Sequence, residues 1–156
     1  MNKNILISGS GGQGVKLMSL VLSKIISDFD YNVSLVFSYD AAMRGGSIVA
    51  FLKYSDSTID NPIIEDADIH LKLSDGSNVN AKKVICQTGT CDGEQIDFKQ
   101  IAMKEFENIL AVNMIGIGVL LKNIDISLDN VSFESVLPSK NLEQNIKAIK
   151  YGYGLR

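Results

Sequence analysis

Apolar residues along this chain follow two spacings, and these distinguish predicted strands from predicted helices. Short apolar or alternating runs are typical of buried or half-buried strands. They cover residues 3–8, 33–38, 48–54, 67–74 and 84–88. Helical spacing is found over 14–29, 98–106, 128–137 and 141–151, and a further helix is predicted to start at residue 113. Strands and helices that alternate in this way predict an α/β fold.

The first three elements predict a Rossmann-like βαβ unit. A strand over 3–8, a helix over 14–29 and a strand over 33–38 follow one another with short connections. Such a crossover joins parallel strands and is right-handed. With 156 residues the chain has the length of one domain with a substantial core. We therefore expect a single three-layer domain over residues 1–156, with a mostly parallel sheet and helices on both faces.

The strand predicted over 67–74 alternates between apolar and polar side chains. His70 and Lys72 share one face, opposite the apolar residues. Parallel strands are usually joined through a helix, but residues 75–83 are too few and too rich in turn-forming side chains for one of normal length. A strand face without a covering helix meets solvent. The pattern therefore predicts that His70 and Lys72 are exposed.

The most apolar part of the chain is the uncharged run 109–121. We expect Asn113 to be the N-cap of a buried helix here, because its side-chain oxygen can accept a hydrogen bond from a free backbone N–H. Gly116 and Gly118 lower the helix propensity by about 1 kcal/mol each. Their presence predicts compensation through close packing against a neighbouring element or subunit.

A glycine-rich segment follows the first strand directly. Gly9, Gly11 and Gly14 have the G-x-G-x-x-G spacing, which permits a tight turn, close approach of the backbone to a ligand and close helix packing. The helix after it directs free N–H groups and the positive end of its dipole at whatever lies over the turn. The segment predicts an anion-binding loop, and the alternative is a ligand-free turn in which glycine supplies positive φ. The candidate ligand-binding residues here are Gly9, Gly11, Gly12, Gln13 and Gly14.

Asp40 follows the second predicted strand. In a dinucleotide-binding fold, an acidic residue about 20 residues beyond the glycines binds the adenosine ribose. Asp40 lies 26 residues beyond Gly14, which is a loose match to that spacing. We therefore interpret Asp40 as a turn residue.

Composition and charge exclude several classes of protein. Hydrophobic residues make up 46% of the chain, which argues against disorder. The net charge is −3 and the lysines are scattered, so no nucleic-acid-binding patch is predicted. The run 109–121 falls short of the roughly 20 residues that span a bilayer, and the apolar residues 5–7 are too few for a signal-peptide core. We expect a cytoplasmic protein that binds neither nucleic acid nor membrane.

The chain offers few residues for metal binding or catalysis. Cys86 and Cys91 are its only cysteines and His70 its only histidine, so it cannot form a tetrahedral zinc site or a four-cysteine iron–sulfur cluster by itself. The spacing permits a Cys86–Cys91 disulfide, but in a reducing compartment we expect free thiols. The lone histidine is interpreted as structural or solvated, and no Ser-His-Asp set or carboxylate pair indicates acid–base chemistry. The sequence therefore predicts no catalytic residue and no metal site.

A second cluster of motifs follows the second predicted strand. Tyr39 is followed after four residues by Arg44-Gly45-Gly46, then by a strand and a Ser-Asp turn. Together with G-x-G-G-Q-G-V at residues 9–15, this order resembles the gamma subunit of the 2-oxoacid:ferredoxin oxidoreductases of pyruvate, ketoisovalerate and 2-oxoglutarate type. The same module is part of the indolepyruvate enzyme. The resemblance continues in an Asn-Met-x-x-x-Gly helix start at Asn113 and in residues 151–153, so it covers nearly the whole chain.

The resemblance implies a place in a larger enzyme. That enzyme oxidatively decarboxylates a 2-oxoacid, captures the acyl group on coenzyme A and passes electrons to ferredoxin. Thiamine diphosphate and the iron–sulfur clusters are then held by partner chains, namely thiamine-binding alpha- and beta-type subunits and a ferredoxin-like subunit. This chain is implied to be a structural subunit that contacts coenzyme A, binds no cofactor alone and is inactive in isolation.

The resemblance also extends the candidate site beyond the glycine-rich loop. A guanidinium next to two flexible glycines can pair bidentately with a phosphate or carboxylate, from coenzyme A or from a partner chain. The alternative is a solvated arginine in a loop. The added candidates for cofactor contact are Arg44, Gly45, Gly46 and Asn113. The short segment 75–83 departs from the family, which has a crossover helix there.

Two other classes of function stay open. The glycine-rich loop is compatible with a stand-alone module that binds a dinucleotide or a nucleoside phosphate, although Arg-Gly-Gly after the second strand is not expected there. The missing crossover helix is compatible with a non-catalytic scaffold that has lost its association with the enzyme. Binding of NAD, FAD or ATP by the isolated chain distinguishes the nucleotide-binding module from a subunit.

Overall fold

The computed structural model describes residues 1–40, 46–75 and 79–156, which form two compact units, Met1–Ile96 and Asp97–Arg156. In the first unit lie β1 (Asn2–Ser10), α1 (Val15–Ser27), β2 (Asn32–Asp40), β3 (Ser47–Ser55), β4 (Asp66–Lys72), β5 (Asn80–Gln87) and β6 (Glu94–Ile96). In the second lie α2 (Phe98–Phe106), α3 (Ala111–Asn123), a 3-10 turn (Leu128–Asn130), α4 (Phe133–Val136) and α5 (Leu142–Gly154). These elements confirm the predicted α/β class.

The six described strands form one mixed sheet in the order β2-β3-β1-β4-β5-β6. β4, β5 and β6 extend the sheet from β1 through parallel pairings. β3 is antiparallel to both β1 and β2. β1 and β2 therefore run in the same direction, as the predicted βαβ unit requires, but β3 lies between them. The spacing of apolar residues does not contain the order in which strands pair, so it could not predict this insertion.

β1 is a central strand with a hydrogen-bonded neighbour on each side. Its residues Ile5, Leu6 and Ile7 are fully buried. α1 packs against β1, β2 and β3. The buried residues of α1 are Val15, Met18, Ser19, Val21, Leu22, Ile25 and Ile26. They recur at the predicted helical spacing, so this helix and its buried stripe are confirmed.

The prediction that His70 lies on an exposed strand face is wrong. His70 is only 2% exposed, and its Nε2 lies 2.7 Å from the Oγ of Ser8 on β1. The hydroxyl gives the imidazole a polar partner and so avoids the cost of burying it unpaired. Lys72 is also largely buried, with 16% of its side chain exposed and its Nζ 3.8 Å from an oxygen of Asp75.

The loop before β4 contributes an apolar residue that packs against the sheet near His70. Ile64, in that loop, is 5% exposed and packs in a cluster with Leu6 and Ala67. Leu6 is the register partner of His70, so this apolar cover lies next to the imidazole. An apolar residue of this loop thus packs against the register partner of His70. Residues 76–78, in the connection between β4 and β5, lie outside the described residues.

Two glycines bring α3 and α5 into close contact in the second unit. A Cβ on Gly118 would lie 2.0 Å from the backbone oxygen of Ile149, and a Cβ on Gly152 would lie 2.0 Å from that of Ile115. The predicted close packing at Gly118 is confirmed. α3 is buried from Ala111 to Leu121, as expected for its apolar run. Among the described residues, no helix combines the length and the apolar content that crossing a membrane requires.

Asn113 is not the N-cap of α3, contrary to the prediction. The helix begins two residues earlier, at Ala111, and Leu110 occupies the cap position. The carboxamide of Asn108 accepts the N–H of Leu110 at 3.0 Å and so starts the turn that leads into the helix. Asn113 therefore lies within the first turn, where it is 8% exposed.

The helix predicted over 128–137 is divided in two. Val131 and Ser132 separate the 3-10 turn from α4, and the extended backbone of Val131 has φ −91° and ψ 121°. This conformation interrupts the helical hydrogen-bond ladder. The helix predicted over 141–151 is confirmed as α5.

The two cysteines form a disulfide, with Sγ atoms 2.06 Å apart, so the expectation of free thiols is wrong for this structure. Cys86 lies near the end of β5. Beyond it the chain turns at Gly89, whose φ is +85°. The N–H of Thr90 donates to the carbonyl of Gln87 at 3.0 Å across this turn. The turn brings Cys91 back to Cys86, which the sequence spacing allowed but did not decide.

Candidate functional site

The glycine-rich loop lies at the carboxyl end of β1, between Ser10 and Val15. Gly12 and Gly14 have φ values of +83° and +76°, a left-handed conformation that glycine adopts at little cost. Gly14 is the N-cap of α1, and no side chain caps the helix. The predicted order of strand, loop and helix is therefore found, and the loop backbone lies at the positive end of the α1 dipole.

The side chain of Gln13 is engaged within the chain. Its Oε1 accepts the N–H of Ser10 at 2.7 Å, and its Nε2 donates to the carbonyl of Leu73 at 3.3 Å. Leu73 directly follows β4, and its N–H donates to the carbonyl of Ser8 at 2.8 Å. Gln13 thus ties the loop to the carboxyl ends of both β1 and β4, and it shapes the loop from within.

Because Gly9 has no side chain, the Gln13 carboxamide can lie close to its backbone. A Cβ on residue 9 would lie 2.7 Å from Gln13 Oε1 and 2.7 Å from a methyl carbon of Val15. A larger residue would therefore have to displace the carboxamide or the start of α1. A Cβ on Gly12, in contrast, would meet no atom within 4 Å. Packing requires glycine at position 9, whereas only the backbone conformation requires it at position 12.

The second motif cluster meets the glycine-rich loop at Gly46. The N–H of Gly11 donates to the carbonyl of Gly46 at 3.2 Å. Ser10, the last residue of β1, is the register partner of Ser47, the first residue of β3. Since β3 runs antiparallel beside β1, its start lies next to the end of β1. The structure thus brings together two segments that are far apart in the sequence.

A cleft of about 480 Å³ opens beside the loop. Its walls combine loop backbone, one cationic side chain and several apolar side chains. The lining residues are Ser10, Gly12, Gly14, Val15, Lys16, Leu17, Leu20 and Ile48. Leu17 and Leu20 lie on the outer side of α1 and are each 39% exposed. Walls of this kind suit an anionic group that carries an apolar extension.

The buried pair of Ser8 and His70 lies just before the loop. Burial, followed by the positive charge of Lys72, lowers the pKa of His70 to about 4. The imidazole is therefore neutral at pH 7. A Ser–His hydrogen bond can activate a nucleophile, but both residues are only 2% exposed and a substrate cannot reach the hydroxyl. The pair has a structural role, which is one of the two interpretations that the sequence allowed for His70.

Of the other candidate site residues, Arg44 and Gly45 lie outside the described residues. Asn113 lies in the second unit, in the first turn of α3. Asp40, interpreted as a turn residue, is the last residue of β2 and the register partner of Ser47. Within the described part of the first unit, the predicted residues that come together are those of the glycine-rich loop and Gly46.

The sequence analysis missed six residues that line the cleft, namely Ser10, Val15, Lys16, Leu17, Leu20 and Ile48. Lys16 is the second residue of the helix that follows the loop, where a cation reinforces the helix dipole toward an anion. Leu17 and Leu20 are apolar residues three apart, outside the buried stripe of α1. Apolar residues outside such a stripe are a signal for a contact surface. Among the described residues, no group of three or more His, Cys, Asp or Glu could hold a metal ion.

The fold and the loop define an α/β protein with a mixed sheet and a glycine-rich loop at the carboxyl end of a central strand. The family model for pyruvate ferredoxin/flavodoxin oxidoreductase matches residues 4–91, which include the loop, the adjoining Gly46 and β2 to β5. The chain belongs to this family.

Individual relatives match nearly the whole length of the chain. The chain is 30% identical to the 2-oxoglutarate synthase subunit KorC of Archaeoglobus fulgidus, over 96% of its own length and 86% of the relative. It resembles the gamma subunit of the keto/oxoacid ferredoxin oxidoreductase of Geobacter sulfurreducens with a TM-score of 0.74 at 22% identity, covering 98% of this chain and 95% of that one.

A third similarity is to a much longer polypeptide. The 2-oxoglutarate:ferredoxin oxidoreductase of Magnetococcus marinus, solved with 2-oxoglutarate, coenzyme A and succinyl-CoA bound, matches with a TM-score of 0.77 at 17% identity. The match covers 97% of this chain but 30% of that one. At these identities the solved structures establish the fold, and they confirm its α/β class.

Proposed function

We propose that this chain is the gamma-type subunit of a 2-oxoacid:ferredoxin oxidoreductase. The observation that carries the proposal is the match to KorC, because 96% of this chain aligns with 86% of a protein that is itself a subunit. A match of this extent to a subunit supports a role within a complex. The relative's name makes 2-oxoglutarate the first acid to test.

The complex would oxidatively decarboxylate a 2-oxoacid, form the acyl-CoA and pass the electrons to ferredoxin. We assign thiamine diphosphate and the iron–sulfur clusters to thiamine-binding and ferredoxin-like partner chains. The donor chemistry of this chain supports that assignment, because its two cysteines are joined to each other and a cluster needs several free thiolates. A cytoplasmic location and a single domain over residues 1–156 belong to the same proposal.

Within that complex, we assign the cleft beside the glycine-rich loop to an anionic group of coenzyme A. The start of α1 and the ammonium of Lys16 favour a phosphate, and Gly12 leaves open space for its approach. Leu17 and Leu20 offer an apolar wall for the rest of the ligand or for a partner chain. Arg44 precedes the Gly46 carbonyl that contacts the loop, and it would supply a second cation.

The proposal is tested by purifying the tagged chain from its native host without oxygen. We expect a thiamine-binding chain and a ferredoxin-like chain to co-purify, with reduction of a viologen dye that depends on coenzyme A and a 2-oxoacid. A panel of acids then identifies the substrate. Recovery of the chain alone, inactive with every acid and binding NAD, FAD or ATP at micromolar concentration, would instead establish a nucleotide-binding module.

The assignment of the cleft is tested by Lys16→Ala in the assembled complex, with Lys24→Ala as the matched control. Lys24 lies in the last turn of the same helix and is exposed. We expect Lys16→Ala to raise the KM for coenzyme A about tenfold, since a charge-assisted bond is lost, without changing the KM for the acid. Lys24→Ala should change neither. Loss of partner chains from the Lys16→Ala complex would show that the anion belongs to a partner, and unchanged kinetics in an intact complex would exclude a role for Lys16.

A further inference from the structure

We propose that Cys86 and Cys91 form a reversible thiol–disulfide exchange site that an incoming thiol enters at Cys91. The site lies at the carboxyl end of β5, and the disulfide spans the turn between β5 and β6. Its reaction partner is a dithiol reductant in one direction and a disulfide oxidant in the other. The proposal does not depend on the enzymatic activity proposed above and takes from it only the reducing compartment.

The two sulfur-bearing residues differ in their access to solvent. Cys86 is fully buried in β5, whereas Cys91 lies in the turn and is partly exposed. Thiol–disulfide exchange requires the attacking thiolate to approach one of the two sulfur atoms, so the accessible one is attacked. The geometry therefore makes Cys91 the sulfur that is attacked and Cys86 the leaving thiolate.

The turn has its own hydrogen bonds, which do not depend on the disulfide. Thr90 donates to the carbonyl of Gln87 from both its N–H, at 3.0 Å, and its hydroxyl, at 2.8 Å. The Nε2 of Gln95 donates to the carbonyl of Cys91 at 2.9 Å, and its Oε1 accepts the N–H of Gly89 at 3.2 Å. These contacts hold Cys91 near Cys86 when the sulfur–sulfur bond is broken. The reduced pair is thus positioned to close again.

The small size of the closed loop also favours exchange over permanent cross-linking. The entropy that a disulfide removes from the unfolded chain grows with the logarithm of loop length, so a loop of this size gains less from closure than a longer loop does. The separation between the two cysteines is five residues. In a reducing compartment, disulfides are typically transient and either catalytic or redox-sensing.

The exchange transfers two electrons and two protons in two steps. A thiolate of the dithiol attacks Cys91 Sγ, the bond between Cys91 and Cys86 breaks, and Cys86 leaves as a thiolate that takes up a proton. The second thiol of the reductant then attacks its own sulfur in the mixed disulfide and releases Cys91 as a thiolate. The net result is that the chain gains two electrons and two protons while the dithiol becomes a disulfide.

The site of attack is tested on the full chain, purified without reductant. The oxidised protein is incubated with glutathione and quenched with acid, the released thiol is blocked with N-ethylmaleimide, and trypsin then releases both cysteines in the peptide 84–99. We expect fragmentation of this peptide to place the mixed disulfide on Cys91. Dithiothreitol should then give two free thiols in the folded protein, and oxidised glutathione should restore the disulfide. A mixed disulfide on Cys86 would overturn the proposed entry point.

Single-cysteine variants give an independent measurement. Cys86→Ser leaves Cys91 as the free thiol, and Cys91→Ser leaves Cys86 as its matched control. We expect Cys91 to react with an aromatic disulfide reagent about tenfold faster or more, because access controls the rate. Similar rates in the two variants, with circular dichroism equal to that of the natural chain, would contradict the proposal. A natural chain that keeps its disulfide in excess dithiothreitol would show a structural cross-link instead.

Discussion

His70 makes the stability of this chain depend on pH in a defined window. Its pKa is lowered to about 4 in the folded protein by burial and by Lys72, against about 6.5 in an unfolded chain. Between these two values the unfolded state binds more protons than the folded state, so stability rises with pH. The contribution of the neutral imidazole is complete above about pH 6.5 and is lost as the pH falls toward 4.

We predict that the free energy of unfolding falls by up to about 3 kcal/mol between pH 6.5 and 4 through this residue. His70→Asn should remove that part of the pH dependence, because an amide can still bond to the Ser8 hydroxyl but does not titrate there. Urea unfolding at a series of pH values measures the slope in both proteins. Equal slopes would show that His70 does not titrate in this window.

The packing of Gly9 against Gln13 gives a second prediction at the level of single residues. Gly9→Ala should cost about 1 to 3 kcal/mol, because its Cβ would overlap the Gln13 carboxamide and a methyl group of Val15. In a Gln13→Ala background one of these overlaps disappears, and the cost should fall by about 0.5 kcal/mol or more. A double-mutant cycle of unfolding free energies measures this difference. Additive costs would mean that the two residues are energetically independent.

The contact between α3 and α5 depends on glycine at the crossing point. We predict that Gly152→Ala destabilises the chain by about 3 kcal/mol or more, because the new Cβ would lie 2.0 Å from the Ile115 backbone oxygen. Gly154→Ala is the matched control, two residues on in the same helix, where a Cβ meets no atom within 4 Å. That change should be neutral or stabilising by up to about 1 kcal/mol, since alanine favours helix. Chemical denaturation distinguishes the two, and equal effects would contradict the crossing geometry.

Elements that local chemistry determines were predictable from the sequence. The strand before the glycines, α1 with its buried stripe, and α5 each follow from a period that one segment contains by itself. The position of β3 between β1 and β2 depends on which distant strands pair, and no local period records that choice. The exposure predicted for His70 was wrong for the same reason, because its surroundings include distant segments: Ser8 on β1 bonds to it, and Ile64 packs against its register partner Leu6.

In the candidate site, too, local features were predictable and contacts between distant segments were not. The glycine spacing predicted the loop and the start of α1, because positive φ values and a free helix end follow from local chemistry. The bond from Gly11 to Gly46 was not predictable, since it depends on the antiparallel placement of β3. Lys16 was missed although it stands next to the loop, because the glycine spacing that identified the loop does not include it.

At the scale of the whole molecule, the chain has the length of one domain. It nevertheless contains two compact units, Met1–Ile96 and Asp97–Arg156. We predict that it unfolds in a single cooperative transition, as domains of this size usually do. Far-UV circular dichroism and the loss of hydrogen-exchange protection in β1 and in α3 should give one midpoint in denaturant. Two separate midpoints would establish that the units are independent domains.

The central position of β1 in the sheet affects how the chain folds during synthesis. Ile5 is the register partner of Leu52 on β3 and of Ile69 on β4, so both neighbours of this apolar strand are synthesised long after it. Contacts so distant in sequence form slowly, and unpaired apolar strands associate readily with other chains. While the ribosome extends the chain from β1 to β3, this strand has no sheet partner, and its second neighbour follows only with β4. Translation speed and nascent-chain chaperones should therefore influence the yield of this protein.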